Sequence, residues 1–594
     1  MSAGPATPSA GVTGTVVVER DLPCVMRDGT ILRTDVYRPA EGRHPVLVSR
    51  TPYGKDHPMA VTNLMFPPVV AASRGFVVVV QDVRGRHASD GDWEPFRCEG
   101  DDGYDAVEWA AAQPWSTSDV AVFGSSYLGV TALQAVASRP PHLRCAVAYL
   151  TGGDYREGWV FSGGALELLF NLRWAAGQAL AELHRHGLAP ADAAAARERL
   201  RWVLERPREA MRFTPLVDVF APWDDVVPYW RDWLEHQHDD EYWAGVDLTR
   251  SLRGPTVPVL SIAGWYDGFL GGQLAAWQSL TAGVGHGDPR VDTPHQLLIG
   301  PWDHESYQGM RPDAAGEDFF GHTAVSGAAG LSDTILDWCG RWLRPGERPG
   351  ERDAPTAPVR YFHMGPHVWR DAERWPPHAG RTEYHLTSGG RANSRHGDGR
   401  LTSTAPDSCS IDSYRHDPHD PVPTCGGRHL GYGYGRAGVL NQVEVEDRAD
   451  VLCFTTGLLT APQDVVGPVR LELHVTSSAV STDFCAKLVD VRADGYCANV
   501  AEGVHRVPPG RLSVSGPTRV VIELGDTAYR FAAGHRIRLE VASSNFPKLD
   551  RHGGLGDQPA RTHEGDWQPA VQRVHCGPDH PSRLVLAGPG QRAG

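Results

Sequence analysis

No apolar run in the chain approaches the roughly 20 residues needed to cross a bilayer, and a composition 41% hydrophobic and 22% charged over 594 residues describes a water-soluble globular protein. That length favours several domains of ordinary size. Basic excess is also missing. Lys and Arg number 57 against 72 Asp and Glu, a formal charge of −15, which argues against nucleic acid because phosphate binding needs concentrated cations. The opening MSAGPATPSAGVTG has neither a basic nor an apolar segment of the secretory kind, so the expectation is a frayed terminus over residues 1–14 and a cytoplasmic, non-membrane protein. The ten cysteines (24, 98, 145, 339, 409, 425, 453, 485, 497, 576) form no CxxC and no regular spacing. That indicates neither a zinc site nor a disulfide framework, and reduced, mostly buried thiols are expected. RHDPHD (415–420) sits among Pro, Ser and Gly and reads as a solvated loop rather than a metal site. There is no internal repeat.

What is present is a change of pattern along the chain. Up to about residue 150, strands and helices alternate: a hairpin pattern turns at Asp28-Gly29, PVLVSRTPYG is a buried strand running into a loop, and GFVVVVQDVRG is a continuous apolar strand of the parallel-sheet kind. From about 151 to 245 helical periodicity takes over (GGALELLFNLRWAAGQALAELHRHG), then strands return in TVPVLSIAGWYDGF and HQLLIGPWDH. RPGERPGERDAP marks a boundary near 350, beyond which short β-branched strands such as VRLELHVTS and HRIRLEVASS signal an all-β sandwich or jelly roll. The fold expected is an α/β-hydrolase domain (15–150 and 246–350) with an inserted helical cap (151–245) and a jelly-roll domain (351–594).

VAVFGSSYLGVTALQAVA (120–137) is a strand, a sharp turn through two serines and a helix, the sequence form of a nucleophile elbow. A serine hydroxyl needs a base, and the base needs a third group to fix its tautomer. Two later strand ends supply them in the order Ser, Asp, His: Asp267 in AGWYDGF and His304 in IGPWDH. Asp303 is a rival acid, but neighbouring side chains at a strand end point apart, which favours Asp267. The backbone N–H of Tyr127, at the start of the helix, is placed to donate to an oxyanion.

GSSYLGVT, RTPYGK, VQDVRG, AGWYDGF, IGPWDH, AGHRIRLEVASSNFPKLDR and VHCGPDHPSRLVL together resemble the CocE/NonD hydrolases of the X-Pro dipeptidyl-peptidase clan. The likeness is ordered over nearly the whole chain and weakest at 180–245 and 385–420. It implies that the serine before the tyrosine, Ser126, is the nucleophile and Ser125 the variable position. It also implies that the Tyr53 phenol is the second oxyanion donor, and that Trp159, Trp174 and Phe269 wall an acyl slot. The sequence has Leu128 where a G-x-S-x-G elbow has its second glycine, with Gly129 one place later. LGYGYG (430–435) brings Tyr432 or Tyr434 toward the rim.

The function expected is metal- and cofactor-independent hydrolysis of small acyl esters through an acyl-enzyme, with a homodimer compatible. An amidase or peptidase of the same clan is the alternative. Enzymes that recognise an α-ammonium need carboxylates beside the nucleophile, and GWYDGFLGG offers no second one. A non-catalytic protein binding a glycan or partner leaves the ordered Ser, Asp and His unexplained.

Overall fold

The computed structural model describes residues 15–589 apart from 59–63, 255–256, 283–294, 306–315, 327–329, 345–356, 432–433, 515 and 557. The expected frayed segment 1–14 lies outside the described residues. The first half of the chain builds a ten-stranded sheet. Its strands are β1 (Val16–Val25), β2 (Ile31–Pro39), β3 (His44–Thr51), β4 (Val77–Asp82), β5 (Ser116–Ser125), β6 (Leu143–Tyr149), β7 (Val259–Gly264), β8 (Gln296–Gly300), β9 (Val359–His363) and β10 (Val368–Ala372). They lie side by side as β1-β2-β4-β3-β5-β6-β7-β8-β9-β10. Every neighbouring pair from β4 to β9 is parallel, while β1, β2 and β10 close the two edges antiparallel. β4, VVVVQD, is buried at every position, as a strand covered on both faces must be.

Helices α1 (Glu99–Ala111) and α2 (Tyr127–Ser138) flank β5 in sequence and pack against each other and the sheet. Between β6 and β7 the chain leaves the sheet for α3 (Leu168–Glu182), α4 (Pro190–Glu205), α5 (Pro228–Glu235) and α6 (Asp240–Ala244). α3 is buried nearly all round, whereas α4 buries a narrow stripe of Ala196, Leu200 and Val203, the spacing of a helix with one face on a core. Pro190 starts α4 and the Asp239 carboxylate caps α6 by accepting from the backbone of Glu241 and Tyr242. Two more helices, α7 (Leu270–Thr281) and α8 (Leu331–Leu343), follow β7 and β8.

The first sheet runs past the expected boundary at residue 350. β9 joins β8 through the register Leu297–Val359 to Ile299–Tyr361, and its partner β10 pairs back onto it, so the all-β part starts only at the strand Arg381–Thr387. That part is an eleven-stranded, largely antiparallel sheet, the jelly-roll layer expected. Two cores result. One surrounds the first sheet and the cap but includes Leu430 and Phe546 from the second half; the other fills the second half but takes in Trp265, Tyr266 and Leu270 from the first. No helix among the described residues is long and apolar enough to cross a membrane. All ten cysteines are free and seven are buried. His416, read from sequence as part of a solvated loop, instead ends the strand Ser410–His416 and is 3% exposed, because it pairs with Ala570 of a neighbouring strand.

Candidate active site

β5 ends at Ser125, which is fully buried and paired in register with Tyr149. Ser126 is the next residue, the N-cap of α2, with φ 54° and ψ −127°. That left-handed backbone is strained for a non-glycine residue. Ser126 N–H donates to the Tyr149 carbonyl at 3.1 Å, and its own carbonyl accepts the first bond of α2, from Val130 N–H at 3.0 Å. The turn is tight enough to dictate its glycines. A Cβ on Gly124 would meet Leu128 Cβ at 2.3 Å, and one on Gly129 would meet Thr151 Cγ2 at 2.7 Å. The close approaches fall at 124 and 129, which is the physical reason a leucine is tolerated at 128. The N–H groups of the first turn of α2, Tyr127 among them, have no intrahelical carbonyl to reach.

The acid and the base come from the ends of β7 and β8, two and three strands along from β5. Their two loops are stitched together: Trp265 N–H donates to the Gly300 carbonyl at 2.9 Å and Tyr266 N–H to the Trp302 carbonyl at 3.0 Å. Gly264 and Gly300 are required because a Cβ on either would strike Trp302, at 2.4 Å in both cases. Asp267 is fully buried. Its Oδ2 pairs with His304 Nδ1 at 2.6 Å, and its Oδ1 accepts Phe269 N–H at 2.7 Å. Asp303, by contrast, turns its Oδ1 to the backbone N–H of Glu305 at 2.8 Å. Of the two candidate acids, it is Asp267 that holds the histidine.

Tyr53 lies in the loop after β3, 8% exposed. Its hydroxyl accepts Trp174 Nε1–H at 3.3 Å and lies beside the Ser126 side chain. Burial pushes the phenol up from its ordinary range, while Trp174, Ser126 and the nearby charge of Arg86 pull the other way. The Tyr127 side chain is anchored away from the turn: its hydroxyl donates to Glu99 Oε1 at 3.1 Å and accepts Phe96 N–H at 2.9 Å. Arg50 pairs with Glu99 at 2.9 Å beneath it. Sequence places Tyr127 at the elbow for its backbone; the structure adds a buried ionic footing under that backbone.

Trp159, Trp174 and Phe269 come together beside these groups. Trp159 and Phe269 are stacked with centroids 4.0 Å apart, and Phe269 meets the His304 ring edge-on at 5.2 Å. Phe170, not singled out from sequence, contacts Trp159 at 5.8 Å, Phe269 at 5.4 Å and Trp174 at 6.3 Å. Its spacing of four from Trp174 on α3 is the signal that was there to find. Trp93, also missed, packs against both Trp174 and Tyr127. From the jelly-roll half, Tyr434 packs against this core; Tyr432 lies outside the described residues. Among the described residues no group of three or more His, Cys, Asp and Glu is arranged to hold a metal ion.

Comparison with known proteins also divides the chain in two, but the second part begins ahead of β9. Residues 28–306 match the model of the X-Pro dipeptidyl-peptidase (S15 family), and residues 353–585 that of the X-Pro dipeptidyl-peptidase C-terminal non-catalytic domain. Cocaine esterase of Rhodococcus sp. is 36% identical over 597 residues, covering 97% of this chain and 99% of that protein. Among solved structures, an α-amino acid ester hydrolase superimposes with a TM-score of 0.77 at 23% identity, covering 98% of each chain. A CocE/NonD family hydrolase from Staphylococcus aureus gives 0.66 at 18% identity, over 96% of this chain and 93% of that one.

Proposed function

The chain belongs to the CocE/NonD family of serine hydrolases in the X-Pro dipeptidyl-peptidase clan, and from that premise we propose that it cleaves carboxylic esters of small molecules through a Ser126–His304–Asp267 acyl-enzyme mechanism. The observation that carries this reading is a strained serine at a helix N-terminus at the end of β5 together with a buried His304–Asp267 pair at the ends of β7 and β8 of the same sheet.

In the first half-reaction His304 takes the Ser126 proton as Oγ attacks the ester carbonyl, and Asp267 stabilises the imidazolium so formed. The oxyanion is held by Tyr127 N–H and the Tyr53 hydroxyl, donors fixed before the reaction begins. The alcohol leaves with the proton from His304. Water, deprotonated by the same histidine, then attacks the acyl-enzyme, and collapse of the second tetrahedral species releases the acid and restores Ser126. Trp159, Phe170, Trp174 and Phe269 suit an aryl or bulky aliphatic acyl group.

The residues after Asp267 are Gly268, Phe269 and Leu270, so this loop places no carboxylate beside the slot for a substrate ammonium, which favours simple esters over peptides. Comparing turnover of p-nitrophenyl butyrate with that of Ala-Pro-p-nitroanilide tests the choice: faster ester cleavage is expected, and faster anilide cleavage overturns it. The domain division proposed alongside is a hydrolase domain of 15–150 and 246–372, a cap of 151–245 and a jelly roll from 381. A cytoplasmic homodimer completes the reading, to be checked by cell fractionation and light scattering.

A further inference from the structure

VQDVRG, part of the sequence pattern shared with the family, is followed by Arg86, and nothing in the reaction as described uses it. Arg86 is 2% exposed. Its Nε–H donates to the Pro52 carbonyl at 2.9 Å, the peptide group that leads into Tyr53. Its two terminal nitrogens grip one residue of the cap helix α3, Nη1 the Gln178 carbonyl at 3.0 Å and Nη2 the Gln178 Oε1 at 2.8 Å. None of the three bonds goes to a carboxylate. The guanidinium also lies 4.6 Å from the centre of the Trp93 ring, and Trp93 packs on Trp174 and Tyr127.

These bonds form a bridge between two things that must be in register. Gln178 stands four residues after Trp174 on α3, hence on the same face, and Trp174 is the residue whose indole donates to the Tyr53 hydroxyl. Arg86 therefore fixes the backbone of the Tyr53 loop against the helix that orients the Tyr53 side chain. The planar guanidinium spreads its donors over three nitrogens in a rigid fork and so reaches acceptors on two separate segments, which the single nitrogen of an ammonium is less suited to do. A buried charge is costly unless it is hydrogen-bonded and paired, and the charge that most offsets the burial of Arg86 is that of Glu182. The nearest acid on α3, Glu182, is engaged by His87 N–H at 3.1 Å and lies 3.8 Å from Arg185.

We propose that Arg86 is a positioning residue of the oxyanion hole, holding the Tyr53 phenol against Ser126 and lending its buried charge to the stabilisation of the oxyanion. This rests on the reading of Tyr53 as the second oxyanion donor. In a dry site, a fixed cation near developing negative charge acts far more strongly than it would in water and needs no reorganisation when the charge appears.

The test is a double-mutant cycle, with kcat and KM measured on p-nitrophenyl butyrate for Arg86→Met, Tyr53→Phe and the double variant, and with melting followed by circular dichroism. Arg86→Met is expected to lower kcat by roughly 10- to 100-fold with KM within about twofold, because what it supports is made in the transition state. In the Tyr53→Phe background the same change should cost less than about threefold, since the hydroxyl it serves is gone. Arg86→Lys, which keeps the charge and loses the fork, should fall between wild type and Arg86→Met. An unchanged kcat in Arg86→Met, or an equal loss with and without the Tyr53 hydroxyl, overturns the inference. If Tyr53→Phe alone turns over at the wild-type rate, it is the reading of Tyr53 that fails. Should Arg86→Met not melt cooperatively, the same cycle is run with Arg86→Lys and judged by the same criterion of coupling.

Discussion

The surroundings of Ser126 and the jelly roll bury polar groups in different ways. Around Ser126 the buried groups that touch the nucleophile and its surroundings are hydroxyls, indoles and one hydrogen-bonded His–Asp pair set in a cage of aromatic rings. In the jelly-roll half whole charges are buried, and they are paired. Arg506, 6% exposed, holds Asp483 at 2.8 Å and Asp550 at 2.7 Å, Lys548 holds Glu502 at 2.6 Å, and Arg538 holds Glu446 at 2.5 Å. The chain has only three lysines, Lys55, Lys487 and Lys548, and all three are buried. Some of these charges reach across to the cap: Asp550 Oδ1 accepts Leu166 N–H at 3.0 Å, and Lys548 lies 3.9 Å from Glu167. Buried ion pairs contribute little net stability, but breaking one leaves an uncompensated charge. The comparison teaches that the polar groups around Ser126 are placed for chemistry, while the buried charges of the jelly roll fix how it seats on the cap.

The sharpest way to separate the two roles is to remove chemistry without stability. Ser126→Ala should reduce kcat on the order of a million-fold with an unchanged melting temperature, whereas Ser125→Ala should keep most activity. A dead Ser125→Ala beside an active Ser126→Ala would reverse the assignment. Next in size, Tyr53→Phe keeps the ring and deletes one donor, so kcat should fall roughly 100- to 1000-fold with little change in KM. A change below about threefold would return Tyr53 to the role of a packing residue.

On the other side of the comparison, stability should move and chemistry should not. Asp550→Ala strands Arg506 with one carboxylate and removes the acceptor of Leu166 N–H, at a cost of about 3 kcal/mol, read by chemical denaturation. Activity per folded molecule should stay near wild type, and a fall in kcat at full folding would break the division drawn here. The smallest effect concerns pH. Burial raises the Glu540 carboxyl from 4.5 to about 8, helped by the adjacent Glu446 and opposed by Lys487 and Arg538. Because the folded value lies above the unfolded one, its contribution is fully present below about pH 4.5 and is lost as pH rises through about 8. Glu540→Gln, neutral at every pH, should therefore narrow the drop in melting temperature between pH 6 and pH 9, to be followed by calorimetry. An unaltered drop would remove Glu540 as its source.

Much of the site was legible because its signals are local. Gly124 and Gly300 are demanded by contacts with Leu128 and Trp302 close by in the chain, while Gly129 and Gly264 meet Thr151 and Trp302 from other strand ends, yet all four stand in the sequence beside the groups they position. What was not legible is tertiary. β9 and β10 lie beyond a run that has every mark of a boundary, and only parallel pairing with β8 draws them into the first sheet. Arg86 looks like any loop arginine until the cap helix brings Gln178 to it. The strand Thr482–Val491 carries Asp483 and Lys487 on one face and Asp490 on the other, charges that ordinarily face solvent, yet every position but the last is buried because partners from other strands and loops close over those charges.

The central claim, that Ser126 is the nucleophile served by His304 and Asp267, is tested most directly by labelling the native protein with a fluorophosphonate, digesting it and locating the adduct by mass spectrometry. One adduct per chain is expected, on Ser126, strongly slowed in His304→Ala. An adduct on Ser125 or on a serine remote from the elbow, or no adduct on protein that is hydrolysing ester, would contradict the account.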